Sequence, residues 1–219
     1  MKNIFLILLI FISTPIFTQK ISIDSISFII KHGDLSFYLD GDTNSYLSIH
    51  KVNYDNIVKI TGERSDKWHV ESPYGPYKRE IYLHSGYDLG HLTPSNITSY
   101  NDTVNYTSFS MFNQAPQTPA FNRGKWAQLE DKVVKKILKS KNNAIIITGV
   151  IYDNKKKVYL NKSKVKIPIV YYKILVLSTK NITYWMGSNI NGEVITTDLK
   201  TILDVARKNG NHINITIKN

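Results

Sequence analysis

One stretch decides the fold of this chain: Tyr87-Asp88-Leu89-Gly90-His91-Leu92-Thr93-Pro94. The pattern indicates an extended segment in which a glycine, a residue that allows close approach of backbone or ligand, precedes a histidine. A lone histidine is more often structural than catalytic, and the chain contains six in all. The context makes His91 a candidate general base, because a neutral imidazole accepts a proton from water near neutral pH. Asp88 is placed to orient an imidazole nearby.

Two later segments supply oxygen ligands and a helix. They are Asn113-Gln114-Ala115-Pro116-Gln117 and Asn122-Arg123-Gly124-Lys125-Trp126-Ala127-Gln128-Leu129-Glu130. On one continuous helix, the spacing of Asn122 and Glu130 would correspond to a rise of about 12 Å, too far for both to bind one ion directly. Asn122 is therefore expected at or before the helix start, where backbone N–H groups favour phosphate. Glu130 lies at the edge of the buried face and needs a partner, for which a salt bridge to Arg123 or Arg64 is one interpretation.

Together these segments resemble the DNA/RNA non-specific endonuclease family. The family signature is Asp-Arg-Gly-His, then an Asn shortly before Pro-Gln, then Asn-x-x-x-Trp-x-x-Leu-Glu. Two segments match fully, and the first departs at Leu89, where the family has Arg. The resemblance covers roughly residues 30–205 and is specific in residues 88–130.

The resemblance implies a role for each matching residue. His91 would be the general base, Asn122 the direct ligand of Mg²⁺ (or Mn²⁺), and Glu130 the holder of metal-bound waters. Asn113 would position the substrate or the active-site network, although from the residues alone it could equally be a turn residue that caps a strand. Arg64, upstream of Trp68, resembles the family's phosphate-contacting Arg.

Leu89 removes a cation that could stabilise charge at the phosphate. Reduced rate, altered substrate preference and loss of activity are all compatible with this change. Lys67 or Arg123 could supply the charge instead.

Composition favours a polyanionic partner. The formal net charge is +11, which suits nucleic acid, anionic membrane or acidic glycan, although a compositional bias toward Lys and Asn would give the same value. There is no cysteine, which excludes structural zinc bound through thiolates.

The N-terminus resembles a signal peptide. A short basic start, Met1-Lys2-Asn3, precedes an apolar run from Ile4 to Ile12, which is too short to span a bilayer. We expect residues 1–19 to be removed by cleavage near Thr18 or Gln19, with a buried N-terminal strand as the alternative. The expected product is a single domain over residues 20–219, secreted or periplasmic, without stable membrane association.

The remaining pattern predicts an α+β protein. Alternation over residues 20–60 indicates strands and hairpins, and the apolar runs 144–150 and 167–177 indicate central strands. The other predicted elements are a Pro/Gly-rich loop at Ser72–Pro76, a loop over 95–107, a strand over 109–112, a helix from about 124 to 140 that buries Trp126, Leu129, Val133 and Ile137, and a helix capped by Thr196 or Thr197 that ends near Gly210.

These elements predict a mixed, mostly antiparallel central sheet with a ββα-metal module. The module would combine strands around 88–94 and 109–113 with the helix from about 124 to 140. With the resemblance, the expected function is hydrolysis of phosphodiester bonds in DNA and RNA without sequence specificity, through a His general base and Mg²⁺. The alternatives are a catalytically weakened or inactive secreted nucleic-acid-binding protein of the same fold, and a basic secreted protein that binds acidic glycan.

Overall fold

The computed structural model of the protein describes residues 8–11, 18–23, 28–70 and 78–218. Strands and helices are numbered in chain order. The strands are β1 (Leu8–Phe11), β2 (Thr18–Ile23), β3 (Phe28–His32), β4 (Leu35–Leu39), β5 (Ser45–Val52), β6 (Asp88–His91), β7 (Gln114–Gln117), β8 (Ala144–Ile151), β9 (Val170–Ser178), β10 (Asn181–Ser188), β11 (Val194–Thr197) and β12 (Ile213–Lys218). The helices are α1 (Tyr54–Ile57), α2 (Asp102–Ser108), α3 (Pro119–Phe121), α4 (Ala127–Ser140) and α5 (Leu199–Lys208).

A seven-stranded sheet forms the centre of the molecule, in the order β11-β10-β9-β8-β5-β4-β3. Each pair of neighbouring strands in it is antiparallel. Every residue of β8 is buried, and so are all but the two end residues of β9. This burial explains why the two strands have continuous apolar sequences instead of alternating ones. The predicted α+β fold with a mostly antiparallel central sheet is confirmed.

Helix α4 packs on this sheet through the predicted face. Leu129, Val133 and Ile137 are buried, and the preceding Trp126 is fully buried as well. The helix begins at Ala127 instead of near residue 124. The reason is a distorted helical turn over Asn122–Trp126, in which Gly124 leaves helical geometry at φ −103° and ψ −119°.

The strand pair of the ββα module differs from the prediction at its second strand. Strand β6 pairs with β7, so that His91 lies opposite Gln114. Residues 109–112 are not a strand, and Met111–Asn113 forms a 3₁₀ turn, at whose start Ser110 Oγ accepts a hydrogen bond from Phe112 N at 3.3 Å. The apolar residues of this segment are all buried in a compact turn, so their spacing does not reflect a pleated strand.

The predicted loop over residues 95–107 is largely helical. Ser95–Thr98 forms a 3₁₀ turn, and α2 follows it. Asn101 caps α2, because its side chain accepts a hydrogen bond from Val104 N at 3.1 Å. The Asn- and Ser-rich composition therefore serves helix caps and buried hydrogen bonds.

Helix α5 is capped one or two residues later than predicted. Asp198, and not Thr196 or Thr197, accepts a hydrogen bond from Thr201 N at 2.7 Å. The helix ends at Lys208, just before Gly210, which has a positive φ of 73°. The predicted C-terminal boundary near Gly210 agrees with this end.

The first two strands and the last one form a small antiparallel sheet in the order β1-β2-β12. Strand β1 lies in the stretch that we expect to be a signal peptide, and its cleavage stays a prediction. The remaining residues of that apolar run and the predicted loop Ser72–Pro76 lie outside the described residues. None of the described helices has the length and apolar character needed to cross a bilayer.

Gly90 is required by the packing of β6 against β7. A Cβ atom added at Gly90 would collide with the side chain of Gln117, which is fully buried. We predict that Gly90→Ala lowers the free energy of unfolding by about 1–3 kcal/mol, because the buried side chain must move. Thermal or urea unfolding measures this change.

The control is the same substitution in a Gln117→Ala background. Removal of the obstructing side chain should abolish most of the cost of Gly90→Ala. An equal cost in both backgrounds would contradict the packing explanation.

Candidate active site

One cleft of about 260 Å³ brings together residues that are far apart in the sequence. Its lining includes Arg64, Leu89, His91, Asn122 and Glu130. They come from the loop after α1, from β6, from the distorted turn and from the first turn of α4. The cleft thus unites four of the five predicted site residues with the position at which the sequence departs from the family signature.

The imidazole of His91 lies among aromatic rings. Its centroid is 5.3 Å from the ring of Trp68 and 4.9 Å from that of Phe109, which it meets edge-on. Nε2 is shielded from solvent and has no hydrogen-bond partner among the described residues. Burial, helped by the positive charge of Arg64, lowers the pKa of His91 to about 3. The ring is therefore neutral at neutral pH and retains a nitrogen that can accept a proton.

Asp88 orients Asn122, whereas the sequence suggested that it could orient an imidazole. Its carboxylate accepts hydrogen bonds from Asn122 Nδ2 at 3.0 Å, Arg123 Nε at 2.8 Å and Arg123 Nη2 at 2.6 Å. Burial would raise the pKa of Asp88, but these hydrogen bonds outweigh it and lower the pKa below its ordinary value. Because the amide nitrogen of Asn122 donates to Asp88, its carbonyl oxygen is the atom that can bind a cation.

Glu130 pairs with Lys173, and not with Arg123 or Arg64. Lys173 Nζ lies 3.7 Å from Glu130 Oε1. It also donates a hydrogen bond to Thr148 Oγ1 at 2.7 Å, and the lysine side chain is only 1% exposed. Burial raises the pKa of Glu130, while the ammonium group of Lys173 opposes that rise. Glu130 Oε1 is the buried oxygen that faces Lys173, while Glu130 as a residue also lines the cleft.

Lys173 is the site residue that the sequence reasoning missed. It stands in the middle of the apolar run that forms β9, where a charge is costly unless it is paired. A single lysine inside an otherwise continuous buried strand was the available signal. Its partner could not be identified, because Glu130 lies on a different element.

Arg64 is the only basic side chain besides His91 that lines this cleft within the described parts of the chain. Its guanidinium lies 5.3 Å from the centroid of Phe109. Nη1 donates to Ser95 Oγ at 3.1 Å, while Nε and Nη2 lie 3.3 and 3.2 Å from Asp66 Oδ1. These contacts hold the positive charge at the mouth of the cleft, beside the ring that packs on His91.

Leu89 has two roles. It lines the cleft and also packs against a small apolar cluster that includes Tyr82, Met111 and Leu160. Neither proposed substitute for the family Arg lines this cleft, since Arg123 is held by Asp88 and Lys67 lines two neighbouring clefts. Arg64 lines the same cleft as Leu89 and carries a positive charge.

Asn113 lies behind the cleft instead of in it. Its Oδ1 accepts a hydrogen bond from Thr93 N at 2.9 Å, and its Nδ2 donates to Thr93 O at 2.8 Å and to Ser108 O at 2.7 Å. The side chain is fully buried and bound to backbone. This geometry suits a residue that fixes the segment after His91, and any contact of Asn113 with substrate stays a prediction.

The donor set of the cleft fits a hard cation. The candidate ligands are the amide oxygen of Asn122 and the carboxylate of Glu130, both of which belong to residues that line the cleft. No group of three or more His, Asp or Glu side chains with metal-binding spacing occurs in the described residues. A cation held here would therefore keep most of its waters, as Mg²⁺ does in sites with few protein ligands.

The lowered pKa of His91 should link the stability of the metal-free protein to pH. The folded-state pKa of about 3 lies below the ordinary value of 6.5, so in this window the unfolded chain binds a proton that the native protein does not. The stabilisation is complete above pH 6.5 and is lost as the pH falls toward 3. Between roughly pH 6 and pH 4, His91→Gln should reduce the slope of unfolding free energy against pH by about 1.4 kcal/mol per unit.

Urea unfolding of both proteins at several pH values measures this difference. His50, whose pKa burial also lowers to about 3, contributes equally to both proteins and cancels. Identical slopes would contradict the assignment of a buried neutral imidazole to His91.

Known proteins show similarity to parts of this chain. A nuclease from Nostoc sp. is 31% identical over 119 residues, which are 54% of this chain and 42% of that protein. Mitochondrial endonuclease G from Homo sapiens is 30% identical over 105 residues, or 44% of this chain and 35% of that protein. The matches thus span less than half the length of these curated relatives.

The fold and the family are supported over most of the chain. A solved structure of the EndoG/EndoGI complex superposes with a TM-score of 0.69 at 20% identity, covering 84% of each chain, which shows likeness of fold. The family model for DNA/RNA non-specific endonucleases matches residues 13–218. Because that match covers nearly the whole sequence, the chain belongs to the DNA/RNA non-specific endonuclease family.

Proposed function

We propose that the protein is a secreted or periplasmic metal-dependent endonuclease that hydrolyses phosphodiester bonds of DNA and RNA without sequence specificity. The observation that carries this proposal is the convergence of Arg64, His91, Asn122 and Glu130 on one cleft. Family membership supports the reaction type. The formal charge of +11 supports a polyanionic substrate.

His91 acts as the general base. Its neutral imidazole takes a proton from a water molecule, which attacks the phosphorus in line with the departing 3′ oxygen. The rings of Trp68 and Phe109 pack against the imidazole and hold it in place. Arg64 offers a positive charge to the phosphate. By family resemblance, the products carry 5′ phosphates.

Asn122 and Glu130 are the residues that would hold the cation. Asn122 would bind it through its carbonyl oxygen, and Asp88 fixes the orientation of that amide. Glu130, which is ion-paired with Lys173, would accept hydrogen bonds from water molecules on the cation. Mg²⁺ or Mn²⁺ bound there would neutralise phosphate charge and stabilise the leaving oxygen.

DNA and RNA are both expected substrates, because contacts to phosphate carry no base sequence information. After loss of the predicted signal peptide the chain keeps a strong positive charge, since residues 1–19 contain Lys2 and no acidic residue. Stable membrane association is not expected of the mature protein.

The direct test is digestion of plasmid DNA and of RNA with magnesium and with EDTA. We predict cleavage that EDTA abolishes, and a loss of roughly two to four decades in rate for His91→Ala, since this is the usual contribution of a general base. The melting temperature of the variant is the control for folding. Cleavage at the wild-type rate by folded His91→Ala would refute the assignment.

Leu89 supports a second candidate function, a nucleic-acid-binding protein of the same fold with weakened or no catalysis. In this reading the cleft binds a phosphodiester, but the cation that the family places at this position is missing. Retention of His91, Asn122 and Glu130 favours the enzyme, because binding alone does not require all three.

Leu89→Arg separates these possibilities. If the missing Arg is a transition-state contact, the variant should raise turnover by about one to two decades and leave substrate affinity less changed. If Arg64 already supplies the charge, the new guanidinium will displace Leu89 from its apolar cluster and destabilise the protein by several kcal/mol, roughly 3 or more, without faster cleavage. Steady-state kinetics and thermal melting of this single variant distinguish the outcomes.

A further inference from the structure

A second cleft adjoins the candidate active site and has an exposed aromatic ring in its wall. The cleft has a volume of about 430 Å³, and Arg64 lines both it and the catalytic cleft. Tyr106, on α2, lines the second cleft and is 41% exposed. The imidazole of His69 stacks on Tyr106 with ring centroids 4.1 Å apart and planes within 4° of parallel. The tyrosine ring is therefore supported from one side and remains accessible. We call this site the Tyr106 cleft.

The walls of the Tyr106 cleft are fixed by buried and partly buried hydrogen bonds. Asn105 Oδ1 accepts from Ser65 N at 2.7 Å, and its Nδ2 donates to Ser95 O at 2.8 Å. Ser99 Oγ accepts from Gly62 N at 2.9 Å. These bonds tie the loop that carries Arg64 to the segment that carries Tyr106. The cleft is thus formed in advance, which lowers the entropic cost of binding.

The charges of the Tyr106 cleft do not suit a phosphate chain alone. Two basic side chains, Arg64 and Lys67, are matched by two acidic ones, Glu63 and Asp102. A phosphate backbone would gain little from such a balanced lining. An aromatic face surrounded by both donors and acceptors suits a nucleobase, which stacks on rings and carries hydrogen-bonding edges.

We propose that the Tyr106 cleft is a binding site for an unpaired nucleobase of single-stranded DNA or RNA, with Tyr106 as the stacking platform. Arg64, shared by the two clefts, places this base next to the phosphodiester in the active site. A base inside a duplex is already stacked and would have to leave the helix to reach Tyr106. The protein therefore binds single strands through both phosphate and base, and duplexes through phosphate. The inference rests on the proposed function for the identity of the polymer.

The test compares two fluorescein-labelled oligonucleotides of equal length that differ only in their bases. One is a short oligodeoxythymidylate, and the other has the same backbone with abasic sites throughout. Binding is measured with the His91→Ala protein in EDTA, so that neither probe is cut. We expect this protein to bind the thymidylate more tightly. Adding Tyr106→Ala should weaken thymidylate binding by about five- to 150-fold and leave the abasic probe unchanged.

Three variants make the result specific to the ring at this position. Tyr106→Phe keeps the stacking face and should retain the preference for the thymidylate. Tyr106→Leu keeps apolar volume without an aromatic face, should lose the preference, and replaces Tyr106→Ala if the latter melts early. Tyr159→Ala removes a tyrosine of similar exposure, 39%, that lines neither cleft and should change nothing.

Two outcomes would overturn the proposal. Unchanged thymidylate binding in Tyr106→Ala would show that no base stacks there. An equal loss for both probes would show that Tyr106 contacts the backbone and not a base. Plasmid digestion by the wild-type protein is read separately, so a protein that prefers the thymidylate through Tyr106 but cuts nothing would refute the proposed function and keep this inference.

Discussion

The buried ammonium group of Lys173 joins three parts of the candidate active site. It donates to Thr148 on β8, lies 3.4 Å from the carbonyl oxygen of Leu92, and pairs with Glu130 on α4. Its charge also lies 5.1 Å from the centroid of the Trp126 ring. A lysine at this depth is stable only because these groups compensate for its lost hydration. The same contacts fix the distance between α4 and the sheet, and they fix the position of the segment after His91.

The distorted turn before α4 allows Asn122 and Glu130 to line the same cleft. A regular helix would separate Asn122 from Glu130 by more than two turns, at about 1.5 Å per residue. The departure of Gly124 from helical geometry breaks that regular rise, and both side chains line one cleft. Asp88 then fixes the amide of Asn122 from the neighbouring strand. Two oxygen-bearing side chains from one chain segment thereby line the same cleft as the imidazole of His91 from another.

The sequence predicted the parts of the fold in which periodicity and burial agree. The apolar runs of β8 and β9 and the buried stripe of α4 are set by contact with the core, so their patterns were informative. Prediction failed over residues 95–113, where Asn101 and Asn105 form a cap and buried hydrogen bonds that resemble loop composition. The partner of Glu130 was also missed, because a lysine in β9 meets it only through the tertiary fold. The cleft brings together residues that the sequence motif had already identified. The cleft residues were therefore easier to predict than the buried residues that hold them, such as Lys173.

The adjacency of β5 and β8 in the sheet has a consequence for how this protein can vary. Those two strands pair directly, although residues 53–143 lie between them in sequence. Every side chain named in the cleft, from Arg64 to Glu130, belongs to that one excursion. The pairing of β5 with β8 thus closes one long loop. The entropic cost of closing that loop grows only with the logarithm of its length. Insertions or deletions inside the excursion can remodel the candidate active site, while the order of strands in the sheet stays the same.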